Sequence, residues 1–128
     1  MKTCQVVDWG RMEYGEALRR QEELVERRRQ GEDRDILVLV EHDPVITLGR
    51  RGTWADILAD GKLLAREGIA VYETNRGGEV TYHGPGQLVG YPILDVPGRR
   101  GGGMADTAAY VCSLEQVLID VLAGLGLA

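Results

Sequence analysis

The sequence predicts an α+β (mixed α/β) fold rather than a doubly wound sheet. Short apolar runs rich in β-branched residues alternate with two long segments of helical periodicity, and tight-turn residues separate two pairs of those runs. Such turns favour hairpins, whereas a doubly wound sheet needs a helical crossover after each strand. The chain has 128 residues, which is about one domain's worth. We therefore predict a single domain over residues 1–128.

The first half of the chain contains one long helix and two neighbouring strands. Apolar residues recur at helical spacing through 13–30, with Glu and Arg on the other face, which predicts an amphipathic surface helix ended by Gly31. The continuous apolar run at 36–40 is typical of a strand covered on both faces. Residues 41–44 end in a proline and predict a turn, after which 45–48 resumes as a strand, giving a hairpin.

The middle of the chain follows a loop, helix, strand order. Residues 49–56 predict a loop, and 57–67 predict a short helix closed by Gly68 before a strand at 69–73. Apolar and polar positions then alternate on both sides of the Gly-Pro-Gly at 84–86, so two strands flanking a tight turn are the simplest backbone.

The end of the chain predicts a loop and a last helix. Residues 99–103 are Arg-Arg-Gly-Gly-Gly, the loosest stretch of the sequence, and predict a loop. Asp106 or Thr107 can cap a helix whose apolar residues form one stripe. The stripe consists of Val111, Leu114, Val117, Leu118, Val121, Leu122 and Leu125.

Composition argues against several classes of partner. The formal charge is −5, and the 15 cationic residues form no long basic run, so we expect no nucleic acid partner. No run approaches the ~20 apolar residues of a membrane span, so no membrane partner is expected. Cys4 and Cys112 form no disulfide pattern, and no secretory leader opens the chain, which predicts a cytoplasmic protein.

The segment 75–96 concentrates five glycines, two prolines and a histidine inside predicted strands. Glycines lack a Cβ, so Gly77 and Gly78 could bring the backbone close to a ligand and offer N–H groups to a carbonyl or carboxylate. The competing interpretation is that the pair only makes a turn. Arg76, Thr81 and His83 in the same stretch favour a site, because polar side chains in otherwise apolar strands break the local pattern.

The two histidines receive different interpretations. His42 could suggest a metal site with Glu41, but adjacent turn residues rarely converge on one ion, so we predict a turn-stabilising hydrogen bond instead. His83 fits either a core histidine satisfied by a backbone carbonyl or a pocket group. Within its motif we favour the pocket, where it would orient the substrate rather than act as general base.

The stretch Arg-Gly-Gly-x-x-Thr-x-His-Gly-Pro-Gly-Gln-Leu-Val-Gly-Tyr-Pro-Ile, residues 76–93, resembles the octanoyltransferases, or lipoyl(octanoyl) transferases, of lipoate biosynthesis. The resemblance extends upstream through Tyr14, Gln21, 41–44 and 47–50, and downstream into the helix at 110–125. It implies the fold of the biotin and lipoate protein ligases, a mixed sheet packed with helices.

The resemblance also implies an activity. The expected reaction moves an octanoyl group from octanoyl-acyl carrier protein, through a cysteine thioester, to a lysine of apo lipoyl domains. The implied acceptors are the lipoyl domains of 2-oxoacid dehydrogenases and the glycine cleavage H protein. Neither a metal nor a nucleotide cofactor is implied, and a monomer is expected. Carried over residue by residue, the substrate-binding stretch consists of Arg76, Gly77, Gly78, Glu79, Val80, Thr81, Tyr82 and His83, with Arg50 and Tyr91 as neighbours.

The sequence departs from that family in one respect. Members of the family continue into a lysine-containing stretch and a Pro-Cys-Gly stretch, and neither occurs here. We therefore expect a truncated domain whose catalytic Cys and Lys lie beyond Ala128, with neither Cys4 nor Cys112 as nucleophile and no activity of this chain by itself.

Two other functions remain open. One is an ATP-dependent lipoate or biotin protein ligase, which also uses an Arg-Gly-Gly stretch, and the other is a non-catalytic acyl-binding fragment. The Gly-Pro-Gly-Gln at 84–87 resembles the transferase and favours it over the ligase.

Overall fold

The computed structural model describes residues 3–32, 34–96, 98 and 105–127. The chain divides into two compact units, Met1–Ile93 and Leu94–Ala128. Among the described residues, the larger unit contains six strands and two α-helices, and the smaller one contains the last helix. In chain order the elements are β1 Cys4–Met12, α1 Tyr14–Arg29, β2 Asp35–His42, β3 Val45–Leu48, α2 Gly61–Arg66, β4 Ala70–Glu73, β5 Val80–His83, β6 Leu88–Ile93 and α3 Thr107–Gly124.

Six strands form two mixed sheets of three strands each. In the first sheet β2 is central, parallel to β1 and antiparallel to β6. In the second sheet β3 is central, parallel to β4 and antiparallel to β5. The combination of mixed sheets and helices confirms the predicted α+β class.

The hairpin predicted at 41–44 is wrong, and the two strands predicted on either side of 84–86 form around a turn but do not pair with each other. β2 and β3 belong to different sheets, and so do β5 and β6, so neither short connection turns the chain back on itself. The pairing continues across the bend, because Glu41 pairs with Leu88 and Val45 pairs with His83. Pro44 has no N–H for a ladder and the Gly-Pro-Gly at 84–86 tolerates unusual backbone angles, so the ribbon bends at these residues.

The bend contains one extra residue on one side, as in a β-bulge. Three residues lie between the paired positions Glu41 and Val45, whereas four lie between His83 and Leu88. The two long strands are therefore β2–β3 and β5–β6, running antiparallel through the bend, which we call the corner (residues 42–44 and 84–87). Within the corner, Gly86 has φ of 88° and donates its N–H to Glu41 Oε2 over 2.8 Å.

The core of the larger unit lies between α1 and the face of β2 that carries Val38, Val40 and His42. All three side chains are fully buried. From α1, Ala17 is fully buried and Tyr14 nearly so, which confirms the predicted amphipathic helix. Glu13 caps that helix by accepting hydrogen bonds from the first-turn N–H groups.

The second predicted helix is shorter than expected. α2 begins at Gly61 rather than near residue 57, because Asp60 acts as its N-cap and accepts a 2.8 Å hydrogen bond from Leu63 N. The preceding residues Trp54–Asp56 form a 3-10 turn inside the predicted loop. Gly68, with φ of 65°, follows the helix as predicted.

The smaller unit is organised around α3. Asp106 is the N-cap and accepts from Ala109 N, as one of the two predicted capping choices. The helix is closed by Gly126, whose φ is 75°, an αL cap. The predicted loop at 99–103 lies outside the described residues.

The length and composition of α3 are relevant to the expected absence of a membrane partner. Within the described part of the chain, α3 is a helix whose length and apolar composition would be sufficient to cross a membrane, judged on those two criteria alone. Core helices of soluble proteins meet the same criteria. Glu115 and Asp120 lie within the helix, and a charged side chain at the centre of a bilayer is unfavourable. The expectation stays a prediction.

Two loops of the larger unit are fastened together by main-chain hydrogen bonds. Gly49 N donates to Glu79 O over 2.6 Å, Arg50 N to Arg76 O over 3.0 Å, and Arg51 N to Gly78 O over 3.1 Å. We call residues 49–51 and 76–79 the clasp. A Cβ on Gly49 would lie 2.5 Å from Gly78 O and 2.9 Å from Gly77 O, so only glycine allows this approach.

Replacing Gly49 by Ala should lower the free energy of unfolding by more than ~1 kcal/mol, because a methyl group cannot occupy space held by two backbone oxygens. Gly61→Ala is the control, since a Cβ there meets nothing within 4 Å and alanine favours helix. Urea denaturation followed by circular dichroism would measure both. Equal stabilities of Gly49→Ala and the unmodified chain would contradict the clasp geometry.

Candidate functional site

Aromatic and imidazole rings from four strands and one helix meet where the two sheets join at the corner. The ring of His42 lies 5.2 Å from Tyr14 and 5.8 Å from both His83 and Tyr91. Tyr72 of β4 adds a further ring 5.1 Å from Tyr14. These five rings, which we call the ring cluster, come from segments far apart in sequence. The corner is therefore the place where the fold brings titratable side chains together.

His42 is fully buried and both of its ring nitrogens have partners. Nδ1 lies 3.3 Å from Met12 O, and Nε2 lies 2.7 Å from Tyr91 Oη. A backbone carbonyl only accepts, so Nδ1–H is the donor to Met12. In the neutral ring Nε2 then accepts from the Tyr91 hydroxyl. Burial is the main reason why the pKa of His42 lies below its ordinary value, and the nearby His83 acts in the same direction.

The two tyrosines beside His42 are also held neutral. Burial, reinforced by the neighbouring Tyr14, raises the pKa of Tyr91 to about 12. Burial likewise raises the pKa of Tyr14, against the opposing effect of the Arg76 guanidinium. At neutral pH these groups are therefore hydrogen-bonding but uncharged, and they suit a ligand that carries polar atoms without a full charge.

A cavity of about 490 Å³ opens beside the ring cluster, within the range usual for small-molecule sites, roughly 300–1,000 Å³. Its lining combines rings, apolar side chains and a few polar groups: Tyr14, Leu18, Gln21, Glu22, Glu73, Thr74, Asn75, Arg76, His83, Val89 and Tyr91. A larger cavity of about 590 Å³ lies between α1 and β1 and contains none of the predicted site residues. The cavity beside the ring cluster is therefore the candidate site.

His83 is held in place at the edge of this cavity by the corner. Its Nδ1 lies within hydrogen-bonding distance of Gln87 Oε1, which only accepts, so Nδ1 carries the hydrogen. Nε2 is then left as the acceptor of the neutral ring. This arrangement agrees with the predicted pocket position and differs from a core histidine bonded to a backbone carbonyl.

Arg76 reaches the cavity but directs its guanidinium into the protein. Nη2 donates to Thr47 O over 2.7 Å and to Thr47 Oγ1 over 2.8 Å, and Nε donates to the same hydroxyl over 3.1 Å. Nη1 donates to Gly77 O over 2.8 Å, and Nη2 also contacts Glu79 O at 3.2 Å. The guanidinium thus holds the clasp from within.

The structure distributes the predicted site residues unevenly. Arg76, His83 and the neighbour Tyr91 line the cavity. Arg50 enters the clasp through its main-chain N–H. The remaining predicted residues do not line the cavity. Gly77, Gly78 and Glu79 belong to the clasp, and Val80, Thr81 and Tyr82 lie in β5. Alternation along β5 places Tyr82 on the opposite face from His83. Substrate binding by the stretch stays a prediction.

Sequence reasoning missed the central position of His42. The residue was expected in a turn, but it is the last residue of β2. A usable signal was present, because positions 38, 40 and 42 share one face of a strand, and the first two are valines. Extending the strand by two residues would have placed His42 in the core. Its predicted hydrogen bond exists, but it joins strands rather than stabilising a turn.

The metal site weighed for Glu41 and His42 does not form. Glu41 accepts from Gly86 N, while His42 is bound by Met12 and Tyr91. Adjacent strand residues point to opposite faces, so the two side chains diverge.

Cys4, which is in the same unit as the cavity, does not line it. Cys4 is exposed and pairs with Asp35 at the far end of β2 from His42, which is about 20 Å along the strand. Cys112 is exposed in α3. Lys62 is exposed in α2.

Comparison with known proteins gives a consistent set of matches. A family model, the lipoyl protein ligase A/B catalytic domain, matches residues 13–128. Proteins named octanoyltransferase are similar in sequence. That of Solibacter usitatus (strain Ellin6076) is 50% identical over 127 residues, covering 99% of this chain and 56% of the relative. That of Myxococcus xanthus is 47% identical over 127 residues, covering 99% of this chain and 34% of the relative. That of Geobacter sulfurreducens (strain ATCC 51573 / DSM 12127 / PCA) is 50% identical over 121 residues, covering 94% and 47%. The chain spans about a third to just over half of the length of these curated relatives.

Burial of His42 should make stability depend on pH. The pKa of His42 is lowered from its ordinary value of 6.5 in the folded state, so below pH 6.5 the unfolded chain binds more protons than the folded one. The stability that comes from keeping His42 neutral should therefore be fully present above pH 6.5. The free energy of unfolding should fall as the pH drops from 6.5 to about 5, an interval that lies above the ordinary pKa range of carboxylates.

The variant His42→Gln isolates this effect. Glutamine keeps hydrogen-bonding capacity but does not titrate, so its unfolding free energy should change less over the same pH interval. Urea titrations at half-unit pH steps would measure both proteins. Parallel pH profiles for the unmodified chain and His42→Gln would show that another group is responsible.

Proposed function

The chain belongs to the family of lipoyl protein ligase A/B catalytic domains, and on that basis we propose that it provides the acyl-binding part of an octanoyltransferase. The family resemblance drawn from residues 76–93 is thereby confirmed. The proposed reaction moves an octanoyl group from octanoyl-acyl carrier protein to a lysine of an apo lipoyl domain, in the cytoplasm. The proposed acceptors are the lipoyl domains of 2-oxoacid dehydrogenases and the glycine cleavage H protein.

The observation that carries the proposal is the orientation of the peptide groups in the clasp. The carbonyl oxygens of Arg76, Gly77, Gly78 and Glu79 all accept hydrogen bonds from Arg76 or from residues 49–51. Within the described residues, the N–H groups of Gly77 and Gly78 make no hydrogen bond. Main-chain N–H groups left available in this way can stabilise an acyl oxygen, which gains negative charge when a thioester is attacked.

The cavity supplies the other half of an acyl site. Leu18 and Val89 give it apolar surface, and Tyr14 and Tyr91, whose pKa values are raised, add aromatic surface that is uncharged at neutral pH. An eight-carbon acyl chain requires an apolar slot, and its carbonyl requires a few fixed donors at one end. The cavity and the neighbouring clasp have these two properties.

In the proposed reaction a cysteine thiolate attacks the thioester carbon, the bond from that carbon to the carrier-protein sulfur breaks, and the carrier protein leaves as a thiolate. The neutral lysine amine of the lipoyl domain then attacks the new thioester, the bond to the cysteine sulfur breaks, and an amide and the cysteine thiolate are formed while the amine proton passes to solvent. Neither Cys4 nor Cys112 has this role in the proposal. Cys4 lies far along β2 from the ring cluster, and Cys112 has Val111 and Ser113 as neighbours rather than Pro and Gly.

We predict that the chain binds S-octanoyl-pantetheine without ATP, and that the octyl thioether lacking the carbonyl binds about tenfold more weakly, since one hydrogen bond to the acyl oxygen is lost. Gly78→Val should abolish binding, because valine is strained at φ of 87° and fills space at the clasp. Gly68→Val is the matched control, since Gly68 also has positive φ and a Cβ there meets nothing within 4 Å.

Isothermal titration calorimetry would measure these affinities. Equal binding of thioester and thioether would contradict the role of the clasp amides. Binding that requires ATP would favour the ligase, and equal losses in Gly78→Val and Gly68→Val would point to backbone strain rather than to a ligand contact.

Cysteine chemistry provides a separate prediction. Incubated with octanoyl-acyl carrier protein, this chain should gain no octanoyl mass that hydroxylamine removes. Fused to the remaining C-terminal segment of the Solibacter usitatus relative, it should gain that mass and modify an apo lipoyl domain. Intact-mass spectrometry would detect both. Hydroxylamine-sensitive octanoylation of Cys112 in the unfused chain would identify it as the nucleophile and overturn the assignment.

A further inference from the structure

Thr47 is a buried polar residue that the predicted site does not include. It lies in β3, and its side chain is fully buried. Both its hydroxyl and its carbonyl accept from the Arg76 guanidinium, at 2.7–3.1 Å. A buried hydroxyl with a charged donor is a strong and directional contact.

We propose that Thr47 is a positioning residue for the acyl site, acting through Arg76 on the clasp. Thr47 holds the Nε and Nη2 side of the guanidinium, and the guanidinium binds the carbonyls of Gly77 and Glu79. Those carbonyls are thereby kept away from the ligand, and the amides of Gly77 and Gly78 remain available. This role rests on the proposed function, because it assigns a purpose to the same amides.

The geometry favours a scaffold role for Arg76 over direct binding of a substrate. Its guanidinium takes part in five donor–acceptor contacts, all with protein oxygens. Turning it towards a ligand would leave the hydroxyl of Thr47 and the carbonyl of Glu79 without this donor. An arginine is suited to the scaffold role because its planar fork can bind several oxygens at once.

The side chain of residue 47 must therefore accept a hydrogen bond without adding volume. Valine has the same shape as threonine but no acceptor, and serine keeps the hydroxyl but lacks the methyl group. Thr47→Val and Thr47→Ser thus separate the hydrogen bond from the packing.

The test combines amide hydrogen exchange with octanoyl binding. In Thr47→Val, exchange at Gly49, Arg50 and Arg51 should accelerate about tenfold relative to β2, because their acceptors lie in the segment that Arg76 holds. Affinity for S-octanoyl-pantetheine should fall by a similar factor. Thr47→Ser should keep both properties near those of the unmodified chain.

Ile46→Val is the matched control, because it removes one methylene from the adjacent position of β3 and no polar atom. It should lower stability without accelerating exchange selectively in the clasp. Unchanged exchange in Thr47→Val, or equal acceleration in Ile46→Val, would overturn the positioning role. If Thr47→Val does not fold, Arg76→Gln should show the same selective acceleration, and its absence there would overturn the role as well.

The two proposals fail in distinguishable ways. If the unmodified chain does not bind S-octanoyl-pantetheine, the proposed function fails, while the exchange measurements still decide whether Thr47 holds the clasp. If binding occurs and the exchange of Thr47→Val is unchanged, the positioning role fails and the function stands.

Discussion

The corner is the constraint on which the other features of the larger unit depend. Pro44 cannot donate to a ladder, and the facing strand has one residue more than its partner, so the antiparallel ribbon bends instead of continuing as one flat sheet. The bend brings the end of β2 and the end of β5 together, which places His42 and His83 within 5.8 Å of each other. Without it, the ring cluster could not form from strands of separate sheets.

Much of the local structure was predictable, because it depends on neighbours in sequence. The periodicity of α1, the short apolar strands and the glycine ends of α1 and α2 follow from patterns within a few residues. The pairing of β2–β3 with β5–β6 was not predictable by the same means, because a short turn between two strands is equally compatible with a hairpin and with a bent ribbon. That choice depends on partners at least 32 residues away, as in the pair Leu48 and Val80.

The candidate site divides in the same way. The motif at 76–83 was visible in the sequence, and the structure places its first and last residues at the cavity. Thr47 and His42 were not identified as residues near the site, because neither looks unusual beside its sequence neighbours. Each is distinguished by a contact with a residue far along the chain, Thr47 by its contact with Arg76 and His42 by its contact with Tyr91. The glycines illustrate the same limit. The sequence suggested that Gly78 admits a ligand, whereas the structure shows close backbone approaches at Gly49 and Gly52.

The clasp is held by main-chain hydrogen bonds, so its backbone conformation does not depend on which side chains it presents to solvent at residues 50 and 51. Arg50 and Arg51 contribute their N–H groups to the clasp, while their side chains are exposed. Any residue except proline supplies the same N–H. Evolution, or an engineer, can therefore change the charge that an approaching partner meets at positions 50 and 51 while the loop beneath keeps its form. The surface charge at these two positions and the main-chain geometry of the clasp can then change independently, although both belong to the same residues.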